Sequence, residues 1–149
     1  MAAFNIKATL QAITSYLAAS GYVKVARLGE PKAPPENVTA AVFMSSVAVA
    51  QLTLGTTIEQ HVVTIRLYRN MLDESADVEL ELARIVSEIS SDLLGEFDLG
   101  ATIRNVDAGG QYGIGLSTRW GYVDVGGTMF RVADMTVPLV VDDSATLAA

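Results

Sequence analysis

Residues 57–95, TIEQHVVTIRLYRNMLDESADVELELARIVSEISSDLLG, contain the two patterns that decide the fold. From 57 to 68 apolar and polar residues alternate, as in a strand that is buried on one face only. The apolar face of this strand consists of Val63, Ile65 and Leu67, and the opposite face of Thr64, Arg66 and Tyr68. From 73 to 95 the apolar period lengthens to that of an amphipathic helix. A strand that passes directly into such a helix predicts a sheet with helices packed on it.

A similar helix precedes this unit, and further strands lead into it. The apolar stripe of the first helix is formed by Ile6, Leu10, Ile13 and Leu17. Gly21 is suited to end that helix, and a short edge strand is expected at 22–28. The proline-rich segment 29–37 cannot continue a ladder of backbone hydrogen bonds, so it predicts a loop before a strand at 39–49.

The last third of the chain is predicted to be rich in strands. We expect strands at residues 101–106, 114–125 and 129–141. Gly126 and Gly127, between β-prone flanks, are typical of a two-residue hairpin loop, and Pro138 predicts an edge position. The order helix, strands, helix, strands predicts an α+β fold, a mostly antiparallel β-sheet with two main α-helices packed on it. We assign residues 1–149 to a single domain, with 142–149 as a loose tail.

Composition excludes several classes of function. The chain has no cysteine, which rules out disulfides, cysteine-ligated zinc and thiol catalysis. Its net charge of −7 makes it a poor candidate for sequence-independent binding to duplex DNA, which needs several lysines or arginines on phosphates. The longest uncharged stretch, residues 37–58, has the length of a membrane span but is interrupted by serines, threonines and a glutamine. We therefore expect no membrane segment, and the N-terminal residues do not follow the pattern of a signal peptide.

The negative charge is concentrated in one segment. Residues 73–98 contain nine acidic residues and one arginine, so they account for the whole excess of negative charge. One interpretation is a solvated helix face. The other is a surface that repels nucleic acid or meets a basic partner.

Arginines on the predicted late strands supply the opposite charge. They are Arg104, Arg119 and Arg131. In one interpretation they pair across strands with Asp107, Asp124 or Asp134. In the other they meet the acidic helix of a neighbouring copy, and such a head-to-tail contact closes into a ring or extends into a filament. The candidate subunit-interface residues are therefore Glu79, Glu81, Glu88, Asp92, Arg104, Arg119 and Arg131.

Residue types that are typical of catalytic sites do not form a recognisable set. His61 is the only histidine, so a zinc site built on histidine and cysteine is excluded and a serine–histidine–aspartate triad would depend on this one side chain. The glycine cluster at 109–115 precedes a predicted strand rather than a helix, and it lacks the third glycine of a dinucleotide-binding loop. The paired acids Asp142 and Asp143 are expected to be solvated. We therefore expect no enzyme activity, no cofactor and no metal site.

Short phrases spread over nearly the whole chain carry a resemblance to a known family. They are AAVFM at 40–44, LGTT at 54–57, IRLYRNM at 65–71, LGA at 99–101, GYVD at 121–124, FRV at 130–132 and TVPLVVD at 136–142. The N-terminal helix and the proline-rich loop precede these phrases, and the acidic helix lies between the phrases at 65–71 and 99–101. This layout resembles the tail terminator proteins of long-tailed bacteriophages and prophages.

The resemblance implies a structural role and a sheet with helices packed against it. Proteins of this family assemble as a ring, commonly a hexamer, on the head-proximal end of the tail tube, where they stop tube polymerisation and offer a joining surface to the head. The implied partners are further copies of this chain, the tail tube protein and a head–tail connector protein. DNA would only pass through the lumen, no membrane would be involved, and the product would reside in the virion tail after assembly in the bacterial host cytoplasm.

Two other functions stay open. One is another head–tail connector or tail completion protein of similar size and fold. The other, from a different class, is a small-molecule-binding or enzymatic α+β oligomer.

Overall fold

Helices and strands follow one another in the order that the hydrophobic patterns predict. The computed structural model describes residues 6–53, 56–71, 75–95, 103 and 105–142. Its helices are α1 (Ile6–Ser20) and α2 (Ser75–Leu94). Its strands are β1 (Val25–Leu28), β2 (Thr39–Thr53), β3 (Thr56–Asn70), β4 (Asn105–Val106), β5 (Ser117–Val125) and β6 (Thr128–Asp142). This confirms the α+β fold. The tail was expected at 142–149, but Asp142 is the last residue of β6, and residues 143–149 lie outside the described residues.

The strands form one sheet in which long strands occupy the middle. The order is β1-β2-β3-β6-β4, with β5 also paired to β6. Neighbouring strands are antiparallel except for β1 and β2, which run parallel. β2 and β3 are consecutive in the chain and pair antiparallel, as do β5 and β6, so each of these two pairs is a hairpin. At the second hairpin Gly126 and Gly127 have φ angles of +59° and +88°, which confirms the predicted loop.

One face of the sheet, which we call the helix face, packs against both helices. Alternate residues of β3 and β6 point to this side, as the strand period requires. The core that they form with the helices includes Ile13, Leu17, Val63, Ile65, Leu67, Leu82, Ile85, Ile89, Met135, Val137 and Leu139. The predicted apolar stripes of both helices and of β3 therefore meet in one core.

The opposite face, which we call the outer face, is also partly buried, against expectation. Tyr68 is only 1% exposed, and its ring meets Phe130 edge-on with the centroids 6.2 Å apart. Ala41, Val125 and Val132 complete this second cluster. The loop after β1 reaches the same face, because Glu30 contacts Arg66. The prediction of a strand that is half solvated was wrong for Tyr68 because alternation within one strand does not reveal what crosses the sheet.

One predicted strand is shorter than expected, and one proline is not at an edge. β5 begins at Ser117 rather than 114. Of the strand expected at 101–106, residues 105–106 form β4, Ile103 is not in a strand, and residues 101, 102 and 104 lie outside the described residues. Pro138 lies in β6, which has neighbours on both sides. Its carbonyl oxygen accepts a hydrogen bond from the Asp107 N–H (2.9 Å). The side on which proline lacks its own N–H thus faces the gap between β5 and β4, where no ladder bond is needed.

The loop between β4 and β5 is held by buried polar side chains. The Asp107 carboxylate accepts hydrogen bonds from the N–H groups of Gln111 (2.7 Å) and Tyr112 (2.8 Å) and from Nε2 of Gln60 (3.0 Å). Gln60 also donates to the carbonyl of Ile114 (2.8 Å) and accepts from its N–H (3.2 Å). The glycine cluster is thereby a loop fastened to β3.

We expect Asp107→Ala to lower the free energy of unfolding by roughly 2–4 kcal/mol, because three donors lose their acceptor in a buried site. Asp107→Asn keeps one acceptor oxygen, so its loss should be smaller. Urea unfolding of the two variants beside the wild type measures this. A loss below about 0.5 kcal/mol for the alanine variant would show that the loop does not depend on this carboxylate.

Candidate subunit interface

The acids of α2 and the late arginines, predicted to meet between copies, partly meet within one chain. Glu79, near the start of α2, receives a hydrogen bond from Nε of Arg131 on β6. Glu81, two residues further along α2, receives one from Nε of Arg69 on β3 (2.9 Å). Because both acids already neutralise an arginine of their own chain, they offer little net charge to a neighbour. Arg104 lies outside the described residues.

Asp92, near the end of α2, ties this helix to the first helix. Its Oδ2 accepts hydrogen bonds from the hydroxyls of Tyr16 in α1 and of Tyr22 just after it (3.0 Å for Tyr22). Burial and then the hydrogen bond to Asp92 raise the pKa of Tyr16, and the hydrogen bond to Asp92 is the main cause of the raised pKa of Tyr22. Asp92 is therefore a structural link rather than a free acid.

This link predicts an alkaline loss of stability. Because the pKa of Tyr16 is higher in the folded than in the unfolded chain, folding favours its neutral form. The resulting stability is complete below pH 10 and declines as the pH rises further. We expect the free energy of unfolding by urea to be lower at pH 11 than at pH 9, with a smaller difference in Tyr16→Phe. An equal fall in both proteins would contradict the role of Tyr16.

The cross-strand pairs that the sequence suggested for the aspartates are not the pairs that form. Asp134 stands opposite Arg119 on β5, but Nε and Nη2 of Arg66 bind its carboxylate (2.6 and 3.0 Å). These hydrogen bonds hold the pKa of Arg66 above its usual value. Asp124 instead accepts the N–H of Gly127 (2.8 Å) and closes the hairpin. Arg119 and Glu88 are both exposed, so two of the seven candidates remain as surface charges.

The distal part of β2, residues 43–53, is an uncharged strand that is exposed at 45–49 and 51–52 and that the sequence analysis did not assign to the interface. Val47, Val49 and Leu52 are 52%, 59% and 63% exposed. β1 pairs only with Thr39–Val42, so beyond that point one edge of β2 has no partner strand among the described residues. Two irregularities in register, at 44–46 and 49–51, interrupt this part of the hairpin. The sequence signal for this surface is the uncharged stretch 37–58, which also has the length of a membrane span.

The second exposed surface is on β5 and the adjoining end of β6. Trp120 and Tyr122 of β5 project beside Met129 and Arg131 of β6, and Tyr122 is 60% exposed. The guanidinium carbon of Arg131 lies 4.6 Å from the ring centroid of Tyr122 and 6.0 Å from that of Trp120. Tryptophan, tyrosine and arginine are the residue types that most often dominate binding energy at protein interfaces. Among the described strands, β5 pairs only with β6, so its outer edge is open as well.

The other residues considered for catalysis or metal binding do not form a site among the described residues. His61 is buried on β3 with Nε2 3.2 Å from a carboxylate oxygen of Glu59. Within the ranges that the structure describes, no group of three or more histidines, cysteines or acids is placed to hold a metal ion. Neither of the two described helices is long and apolar enough to cross a membrane.

Two comparisons with known proteins identify no relative of this chain. A scan against protein-family models matches none of them, and a search of curated proteins finds no match.

Proposed function

We propose that this protein is a structural virion assembly protein that caps the head-proximal end of a phage tail tube as a ring. In this role it stops tube polymerisation and provides the head–tail joining surface. The observation that carries the proposal is the distal part of β2, an apolar, uncharged strand that is exposed on a chain of net charge −7. The layout that resembles tail terminator proteins supports the same conclusion.

An exposed apolar strand of this kind favours a protein that works in an assembly. Contiguous apolar surface on a soluble chain marks a binding site or an aggregation hazard, and a long open edge strand is a template for pairing with another chain. The open edges of β2 and β5 are different surfaces, and they face away from each other at opposite ends of the strand order. A chain with two unlike binding surfaces is suited to head-to-tail contacts, which close into rings.

The distribution of charge supports the same role. The acids that α2 leaves exposed, such as Glu88, add to a net charge that is negative for every subunit. A ring of such subunits repels phosphate, so DNA can pass through a lumen without being held. The partners proposed are therefore further copies of this chain, the tail tube protein and a head–tail connector protein, in a virion tail assembled in the bacterial host cytoplasm.

An elongation assay tests the proposed function. Tail tube protein is allowed to polymerise in the presence of increasing amounts of this protein, and tube lengths are measured by electron microscopy. We expect tubes to stop growing at substoichiometric ratios, because one ring blocks one end. Tube lengths that stay unchanged when the protein is present in enough copies for ten rings per tube end would overturn the terminator role. Binding to head connectors without any effect on tubes would favour a connector protein instead.

A further inference from the structure

We propose that the open edge of β2 in one copy pairs with the open edge of β5 in the next copy, so that the sheet continues from subunit to subunit. This inference rests on the proposed ring and names the contact that builds it. Open strand edges have unpaired N–H and C=O groups, and a second strand is the partner that satisfies them. Among the described strands, β1 and β4 are short, and the long open edges are residues 43–53 of β2 and 117–125 of β5, which are of similar length.

Strand direction suits this contact. β2 and β6 are each antiparallel to β3, so they run the same way, and β5 runs against β6. β5 is therefore antiparallel to β2. In a ring whose copies keep the same orientation along the strands, the β5 of one copy meets the β2 of its neighbour in the antiparallel sense, which is the commoner and slightly more stable pairing.

The exposed side chains of the two strands lie on the same face of the sheet. Val47 and Val49 stand opposite His61 and Glu59, which belong to the same alternate set of β3 as the buried helix-face residues. Trp120 stands opposite Ala133, a helix-face residue of β6, and Tyr122 is two residues along on the same side. In a continued sheet the aromatic rings of one copy would lie beside the valines of the next. Aromatic and β-branched residues are favourable cross-strand neighbours.

Charge and position favour this pairing between copies. Residues 43–53 carry no charge, and β5 contains one arginine and one aspartate, so the contact brings together none of the acidic excess. Across the sheet, β5 is level with the Thr39–Phe43 end of β2. The open edge of β2, residues 43–53, extends from that end toward the opposite end of the strand, away from the level of β5. Pairing therefore staggers successive copies along the strands, as closure of a sheet into a barrel requires. Pairing of β2 with β2 would instead give a closed two-fold dimer.

Cysteine cross-linking tests the contact, because the natural chain has no cysteine. The double variant Val49→Cys with Tyr122→Cys places one thiol at each edge, and Val47→Cys with Trp120→Cys provides a second register. The two edges of one chain are three strands apart, roughly 14 Å, which is too far for a disulfide within the chain. Each variant is assembled with tail tubes, oxidised and analysed on a non-reducing gel, with folding checked by circular dichroism.

We expect at least one double variant to give a ladder of covalent multimers up to the ring order. A mixture of the two matching single variants should give only covalent dimers, and each single variant alone should stay monomeric. Covalent dimers of Val49→Cys alone would overturn the proposal in favour of β2–β2 pairing. Rings that form but never cross-link would refute the edge contact and leave the proposed function standing, whereas absence of rings on and off tubes would refute both.

Discussion

Replacing Val47 and Val49 together by lysine should abolish ring assembly while leaving the subunit folded. Both side chains are more than half exposed, so the folded monomer tolerates the charges. In the assembled sheet the two ammonium groups would lie against the neighbouring strand without partners, and lysine on an edge strand is how natural proteins prevent such pairing. A buried unpaired charge costs about 3 kcal/mol or more, so we expect subunit association to weaken at least about 100-fold.

The double variant Leu80→Lys with Leu94→Lys provides the matched control for this prediction. Leu80 and Leu94 are 70% and 65% exposed on α2, so the change adds the same two charges at exposed apolar positions on an element outside both edges. Native mass spectrometry of the tube-assembled material and circular dichroism of the free subunits should separate the two variants. Equal assembly of both would show that β2 is not part of the contact, and equal failure would show that added charge alone is responsible.

Tyr68→Ala should be the most destabilising single change on the outer face of the sheet. Its ring is buried against Phe130 and the loop after β1 reaches the same face, so truncation leaves a cavity in the second cluster. Comparable truncations of large aromatic residues cost roughly 3–5 kcal/mol. Urea unfolding measures the difference, and Tyr68→Phe, which removes only the hydroxyl, should lose about 1 kcal/mol.

The outcome distinguishes two views of the sheet. If the outer face were solvated, as alternation in β3 predicts, Tyr68→Ala would change the free energy of unfolding by no more than about 0.5 kcal/mol. A loss of several kcal/mol is expected only if the outer face has a core of its own. Leu82→Ala truncates a fully buried residue that packs on the helix face. Its loss of unfolding free energy can be compared directly with that of Tyr68→Ala.

The elements that sequence predicts best are those with long, regular patterns. The apolar stripe of α2 and the alternation in β3 each extend over enough residues to exclude the other period, and the predicted apolar face of each element is buried in the helix-face core. The two-residue loop at Gly126 and Gly127 was also predictable, because few residues adopt positive φ at both positions. These local signals suffice for the fold class and for the helix-face core.

The partners of charged side chains were not predictable from the same signals. Arg131 lies opposite Tyr122 on its strand neighbour but binds Glu79, which is 52 residues away in the sequence. Asp134 lies opposite Arg119 but binds Arg66 on the other neighbouring strand. The partner of Arg131 depends on α2 packing over the helix face, and the partner of Asp134 depends on which of the two neighbouring strands has an arginine that reaches it. Spacing along one strand does not contain that information.

The surfaces proposed for assembly lay partly within reach of the sequence. The uncharged stretch 37–58 is unusual in an acidic chain and predicts a surface that is hidden from water in some state. That β2 continues to Thr53 while β1 ends at Leu28 follows only from the pairing of the strands. Likewise, Trp120 and Tyr122 have the ordinary pattern of a strand, which does not reveal that β5 pairs only with β6 among the described strands or that both rings are exposed.

Electron microscopy of tail tubes mixed with the wild-type protein tests the central claim most directly, with particles viewed both end-on and from the side. The account predicts a ring of identical subunits on one end of each tube, an open lumen, and no tube growth beyond it. Bare ends on tubes that continue to elongate, with the protein monomeric in the same solution, would contradict it.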